Sequence, residues 1–216
     1  MRTPDLTGQA TRRTASSTRD RLLEAARNTF SSLGYVATRV DDIVRSAGTS
    51  HGTFYTYFKD KKAVLVGLTT EIAHSLYGAA LAPTLDADRA PTPRDLVRAR
   101  IASFLAVYRR HWGVIRSWTQ AEGVHPDVEQ AKSKIRRAIA VAVAELLNRD
   151  QQRGLVVSDL RTDFVATALV AMTEGFANDR FASGTVITDR DLDDLTDLWV
   201  RCVYRRDLVS GTPLGA

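Results

Sequence analysis

Between residues 38 and 62 the chain reads TRVDDIVRSAGTSHGTFYTYFKDKK, and the side chains there suit one chemistry, hydrogen bonding to the base edges and phosphates of a DNA duplex. Thr49, Ser50, His51 and Thr53 stand at the start of a short helix, the part of a recognition helix whose side chains reach base edges in the major groove. Gly52 leaves room for the backbone to approach the groove floor. Tyr55 and Tyr57 carry hydroxyls able to donate to phosphate oxygens, and Lys61 offers a charged donor one turn later. Tyrosines beside phenylalanines also fit an aromatic core cluster. Phe54 and Phe58 share one helical face and take that inward role. Tyr55 and Tyr57 have polar and cationic neighbours and are assigned to the surface.

Other chemistries find no support in residue type or spacing. His51, His74, His111 and His125 are scattered without the spacing of metal ligands, and Cys202 is the only cysteine, so neither a zinc motif nor an internal disulfide can form. A lone cysteine fits a reducing cytoplasm, the expected location. Cys202, set among the apolar residues of LWVRCVYR, is expected in the core or an interface. The run from Asp189 to Asp197 lacks the loop spacing and the glycine of a calcium site, and acids at a helix start explain it through the dipole. No glycine loop that cradles phosphate and no Gly-x-Ser-x-Gly elbow occurs. No cofactor, metal or catalysis is expected. No apolar run approaches the roughly 18 residues of a membrane span, and the Arg-rich N-terminus is not signal-like, so no membrane partner is expected.

These side chains need a scaffold, and the apolar periodicity is helical throughout, with no segment alternating like a strand. Residues 1–17 are rich in Thr, Ser, Arg and Gly without periodicity, which predicts a mobile arm. A first helix begins at Ser17 or Thr18, turns Leu22, Leu23, Ala26, Phe30 and Leu33 inward, and stops at Gly34. Thr38 caps a second, Gly48 makes a turn, and Thr49 or Ser50 caps a third running to Phe58. Helix, glycine turn and helix in that order make a helix-turn-helix. Asp60 caps a fourth helix from Lys61 to about Leu81, with Val64, Leu65, Leu68, Ile72 and Leu76 as its apolar stripe. Three prolines break the pattern over residues 82–93, and Thr92 followed by Pro93 restarts it. Further helices are predicted over about 93–109, 111–122, 126–152, 160–182 and 189–206. The predicted fold is all-α, about nine helices, with an N-terminal three-helix DNA-binding domain and a C-terminal helical bundle.

Composition is that of an ordinary globular chain, 216 residues with 44% hydrophobic and 25% charged. Residues 1–62 carry eleven Lys/Arg against six Asp/Glu, and residues 63–216 carry nineteen of each, so the whole net charge of +5 sits with the helix-turn-helix. Neutralising phosphates requires that placement, because each contact releases condensed counterions. A basic tail that merely aids solubility would give the same split; beside the motif, the charge becomes supporting evidence.

The stretches Ala25 to Tyr35, AARNTFSSLGY, and Gly48 to Leu65, GTSHGTFYTYFKDKKAVL, resemble the hallmark of the TetR (tetracycline-repressor-like) family, and the resemblance spans Arg19 to Leu68. It implies that Thr38 and Arg39 open the second helix near phosphates, that Tyr55, Tyr57 and Lys61 grip phosphates, and that Ser50, His51 and Thr53 read bases. Tyr57 stands where many members have His, and Lys62 where an acid is common. Residues 166–174, ATALVAMTE, and 198–204, LWVRCVY, resemble the EthR group within that family. That likeness implies an apolar tunnel touched by Thr173 and Trp199 and walled by Phe104, Trp112 and Trp118, with the same helices forming a dimer interface. Aromatics at helical spacing also fit plain core, and Gln120 and Glu122 either orient a ligand or lie on solvated surface. Val170 and Thr173 replace the group's Asn donors, which leaves ligand polarity open.

The expected organisation is an arm over 1–17, a DNA-binding domain over 18–62 and a ligand-binding and dimerisation domain over 63–216. Ala166, Ala168, Leu169, Leu195, Leu198 and Val200 are expected in a four-helix interface between two copies. The expected function is a ligand-responsive repressor, a homodimer on a pseudo-palindromic double-stranded DNA operator, released by a mainly apolar small molecule. The rivals are a helical small-molecule-binding protein or enzyme whose DNA-binding region is vestigial, and a nonspecific nucleoid-binding protein.

Overall fold

A computed structural model describes residues 17–81 and 91–205. The expected arm up to residue 16, most of the proline break and the chain from residue 206 onward lie outside the described residues. Within them the chain forms nine helices: α1 (Thr18–Ala37), α2 (Val40–Ala47), α3 (His51–Tyr57), α4 (Lys61–Leu81), α5 (Pro93–Arg110), α6 (Trp112–Glu122), α7 (Pro126–Gln152), α8 (Thr162–Ala182) and α9 (Asp189–Val203). The only extended pairing among them is an isolated antiparallel bridge between Val156 and Tyr204. It ends α9 at Val203, short of the predicted 206.

Capping chemistry sets where the helices begin. Ser17 Oγ accepts from the Asp20 N–H at 3.1 Å, and the Asp20 carboxylate accepts from the Ser17 N–H at 3.2 Å, a reciprocal pairing that satisfies two orphan donors. Thr92 with Asp95 repeats the device at α5, where Pro93 fills the first turn, and Thr188 with Asp191 repeats it at α9. Asp60 accepts from the Ala63 N–H at 2.8 Å and starts α4.

Gly34 kinks α1 instead of ending it. Its φ of +76° takes the backbone out of helical geometry, and the helix resumes to Ala37. The break exposes backbone groups that α6 side chains satisfy. The Tyr35 N–H donates to Gln120 Oε1 at 2.8 Å, the buried Ser117 hydroxyl donates to the Phe30 carbonyl at 2.9 Å, and Arg116 donates to the Ser31 carbonyl at 3.1 Å. The kink also gives Tyr35 the inward place expected for Leu33, which is half exposed.

One continuous core joins the two ends of the molecule. Phe30, Ile43 and Phe54 connect through Leu65, Leu68 and Ile72 of α4 to Ile101, Ile115 and Val143. The expected division at residue 62 therefore falls inside α4. By length and composition α4 could cross a bilayer, contrary to the expectation of no such run, yet its stripe from Val64 to Leu76 is buried in this core.

Candidate nucleic-acid interface and ligand cavity

The turn into α3 is made by Gly48, whose φ of +61° is left-handed. Ser50 rather than Thr49 caps α3, accepting from the Thr53 N–H at 3.2 Å. Phe54 and Phe58 are buried as predicted, and the Arg19 guanidinium lies over the Phe58 ring at 5.5 Å. Anchoring that face turns His51, Gly52, Tyr55 and Tyr57 to solvent. His51 Nε2 stands 2.8 Å from the Asp41 carboxylate, which places the first turn of α2, and with it the exposed Arg39, beside the start of α3.

Two of the residues expected at phosphates are engaged within the protein. Thr38 is fully buried, and its hydroxyl donates to the Gly34 carbonyl at 2.6 Å, closing the end of α1. The residue that opens α2 is Arg39, whose N–H donates to the Asp42 carboxylate at 2.9 Å. Lys61 is spent on the protein: its ammonium donates to the carbonyls of Tyr35 (2.8 Å), Val36 (3.3 Å) and Thr38 (2.7 Å) and sits 4.5 Å from the centre of the Tyr35 ring. An ammonium has three N–H groups, so none is left over for phosphate in this arrangement. Partial burial lowers the Lys61 pKa from its ordinary value.

Among the C-terminal helices a small apolar cavity of about 50 Å³ is walled by α5, α7, α8 and α9. Phe104, Thr173 and Trp199 all line it, and the Trp199 indole donates to Thr173 Oγ1 at 3.0 Å. A second void of about 30 Å³ shares the walls Phe104, Ile139 and Val170 and is bounded by Ile115 and Trp118. Trp112 lines neither of these voids, and its ring lies 6.3 Å from Tyr108 and 5.7 Å from Phe181. Gln120 bonds α1 rather than a ligand. Glu122 belongs to a charged cluster bordering the second void, where Lys132 bonds it at 3.0 Å and Arg136 grips Glu174 through two nitrogens at 2.5 and 3.0 Å. Burial, reinforced by the Glu174 charge, raises the Tyr108 pKa well above the ordinary phenol.

The junction between the two ends is polar. Arg27 of α1 bonds Glu71 of α4 at 2.5 Å and meets His111 at 3.4 Å, the Tyr35 hydroxyl lies 2.8 Å from His125 Nε2, and Lys62 bonds Asp127 at 2.6 Å. Burial first, then the charges of Arg27 and Arg110, lowers the His111 pKa.

Comparison with known proteins places both halves. Residues 22–68 match the family described as "Bacterial regulatory proteins, tetR family", and residues 97–205 match "Transcriptional regulator EthR, C-terminal domain". The chain belongs to the TetR family. It is 29% identical to the transcriptional regulator EthR of Mycobacterium tuberculosis over 186 residues, 85% of each chain. It is also 29% identical to the transcriptional repressor KstR2 of Mycolicibacterium smegmatis, over 69% of this chain and 73% of that one. GusR of Salmonella enterica shares the fold, with a TM-score of 0.70 and 21% identity, over 85% of this chain and 94% of that one. The TetR relatives are helix-turn-helix transcriptional regulators, and this member is a DNA-binding regulator of the same kind.

The outer face of this TetR chain's last two helices differs from expectation. Ala166, Leu169, Leu195 and Val200 are buried in the chain's own core, which leaves only Ala168 and Leu198 of the expected interface residues on the surface. Phe164, at 63% exposure, and Ala171 share the outward stripe of α8 with Ala168, while Cys202 joins Leu198 on α9. Cys202 is exposed, not core. The acids of α9 do more than answer a dipole: Arg94 bonds Asp197 at 2.8 Å and Arg98 bonds Asp193 at 2.8 Å, tying α9 to α5. No group of acids, His and Cys with metal-binding arrangement exists among the described residues.

Proposed function

We propose that the chain is a ligand-responsive repressor that binds a pseudo-palindromic operator as a homodimer and is released by a mainly apolar small molecule. Residues 18–62 would read DNA in the cytoplasm and residues 63–216 would hold the effector and the second copy. For base reading the candidates are Thr49, Ser50, His51 and Thr53 with Gly52 at the groove. For phosphates they are Arg39, Tyr55 and Tyr57, with Lys61 positioning the end of α1.

One observation carries the reading: α6 has apolar residues on the second void, which shares the walls Phe104, Ile139 and Val170 with the larger cavity, and polar residues on the DNA-binding half. Ile115 and Trp118 line the second void, while Arg116, Ser117 and Gln120 satisfy the broken backbone of α1. A void of about 50 Å³ cannot hold an effector, since ligand sites enclose roughly 300–1,000 Å³. Occupancy therefore has to push helices apart, and α6 cannot move without pulling on α1. A tenfold loss of operator affinity needs only about 1.4 kcal/mol of such coupling.

Two copies are required because one recognition helix reads only a few base pairs, and two-fold protein symmetry suits a two-fold site. The exposed apolar stripe of Phe164, Ala168, Ala171 and Leu198 supports pairing through α8 and α9. Footprinting of genomic fragments selected by the purified protein tests the whole reading. A protected, nearly palindromic site that outcompetes bulk DNA is expected. Equal affinity for all fragments, or turnover of a small molecule without selective DNA binding, would reject it.

A further inference from the structure

Four helices meet at one histidine. His111 closes α5 and opens α6: its N–H donates to the Val107 carbonyl at 3.1 Å, and its own carbonyl accepts from the N–H groups of Val114 and Ile115 at 3.0 Å. Its ring Nδ1 lies 3.4 Å from the Arg27 guanidinium of α1, which also bonds Glu24 at 3.2 Å and Glu71 of α4 at 2.5 Å. The first turn of α6 presses on α1 beside this point, where a Cβ added to Gly113 would come within 2.6 Å of Ser31 Cα. Helix α1 in turn shares the core of Phe30, Ile43 and Phe54 with α2 and α3.

A guanidinium only donates, so the contact requires His111 Nδ1 to be an unprotonated acceptor, with the ring proton on Nε2. A second proton turns that acceptor into a donor facing a donor and sets an imidazolium against a guanidinium. The charged groups around the ring are Arg27 and Glu24 of α1, Glu71 of α4 and Arg110 of α5. Both carboxylates are already engaged by Arg27, so the new charge has no partner of its own. Burial and the two arginines accordingly hold the His111 pKa below its ordinary value. The contact of the other junction histidine survives a proton. His125 Nε2 meets the Tyr35 hydroxyl at 2.8 Å, and a phenol can accept from a protonated ring as well as donate to a neutral one.

Resting on the ligand-responsive reading above, we infer that the Arg27–His111 contact is a proton-sensitive latch, and that acid weakens operator binding by opening the joint between α1 and α6. The direction follows from which state excludes the proton. The closed joint binds it poorly, so protons favour the open form below about pH 6.5. The operator needs α1, α2 and α3 held together and favours the closed form. Proton and operator therefore oppose each other, and each weakens the binding of the other by the same factor.

His111→Asn tests the latch, because its side-chain oxygen can accept near the place of Nδ1 and the amide takes no proton. Affinity is measured on an operator selected from genomic fragments, at about pH 8 and about pH 5.5, either side of the ordinary histidine pKa. Wild-type affinity is expected to fall about fivefold more than that of the variant, the lower end of ordinary coupling between sites. Comparing the two proteins cancels whatever acid does at the DNA face. Protein labelled with ¹⁵N in its histidines reports on the ring without DNA, the His111 signal being the one missing from the variant. The neutral ring is expected to carry its proton on Nε2, and the operator is expected to lower the pH at which the ring takes a second one. The inference is overturned if the neutral ring is protonated on Nδ1, if operator leaves its proton uptake unchanged, or if wild type and His111→Asn lose affinity alike in acid. Should the asparagine variant fold poorly, His111→Gln assigns the signal and the wild-type ring still decides. Failure to select any operator would count against the repressor reading, whereas a ring protonated on Nδ1 would count only against the latch.

Discussion

Replacing Lys61 by methionine separates two roles that sequence and structure assign to it. Methionine keeps the apolar stem over Tyr35 but removes the ammonium that donates to the carbonyls of Tyr35, Val36 and Thr38. Hydrogen bonds from a charged group contribute about 1.5–3 kcal/mol each when nothing replaces them. Lys61 is only partly buried, so water will rehydrate most of the freed carbonyls, and the whole set should be worth about 1.5–3 kcal/mol rather than three times that. Losing the cation above the Tyr35 ring adds about 0.5–1 kcal/mol. Urea unfolding should therefore show a destabilisation of about 2–4 kcal/mol. Operator affinity should fall alike for all sequences, because the loosened α1–α2 corner no longer fixes α3. The slope of log K against log salt should stay close to that of the wild type. A phosphate ligand behaves otherwise: its removal lowers the slope by about 0.9 per protomer. A variant with unchanged stability and a slope reduced by that amount would refute the structural role and restore Lys61 to the phosphates.

Further perturbations probe other joints of the same argument. Ser117→Ala strands the buried Phe30 carbonyl beside the α1 kink and should cost about 1–3 kcal/mol of stability in urea titration; an unchanged midpoint would mean that the α6 contact is ornamental. The His111 pKa is lowered in the folded chain, so folding excludes its proton: stability is fully present above about pH 6.5, falls as pH drops below that value, and levels off beneath the folded pKa. His111→Gln should remove that acid-side loss in unfolding measured at a series of pH values, and an identical pH profile for variant and wild type would contradict it. Phe164→Glu places a charge on the exposed α8 stripe and should shift a dimer towards monomer in sedimentation at micromolar concentration; a wild type that is monomeric there would remove the pairing proposal. Tyr55→Phe deletes an exposed hydroxyl from α3 and should weaken binding to all DNA sequences equally, whereas a changed operator preference would make Tyr55 a base reader.

The division between what was legible and what was not follows from the range of each interaction. Capping, turns and helical stripes are local, so Ser17, Gly48, Asp60 and Thr92 could be placed from their neighbours alone, and Phe54 and Phe58 fell inward as their spacing requires. The partners of Lys61 and Thr38 within the protein were not legible, because tertiary geometry sets them. The Lys61 acceptors lie 23 to 26 residues earlier in the chain, at the end of α1, where the last carbonyls of a helix have no partner within it. Trp112 and Trp118 are six residues apart and alike in type, and nothing in their spacing tells which faces a void and which stacks on Phe181. Gln120 gave the least warning, since its partner is a backbone N–H that in an unbroken helix would already be bonded. The kink is thus the hidden term. A glycine that reads as a helix stop becomes a gap in α1 that α6 fills, and filling it ties the helix that borders the second void to the helix-turn-helix. Substituting Gly34 with alanine tests this directly. The alanine would be strained at φ +76°, and its Cβ would come within 2.7 Å of Gln120 Oε1. Relieving the clash requires either straightening α1 or expelling Gln120, and both should release α6. Operator affinity should then drop without effector, and effector should release little more. Should Gly34→Ala keep full affinity and full response to effector, the route from cavity to DNA would run through α4 alone.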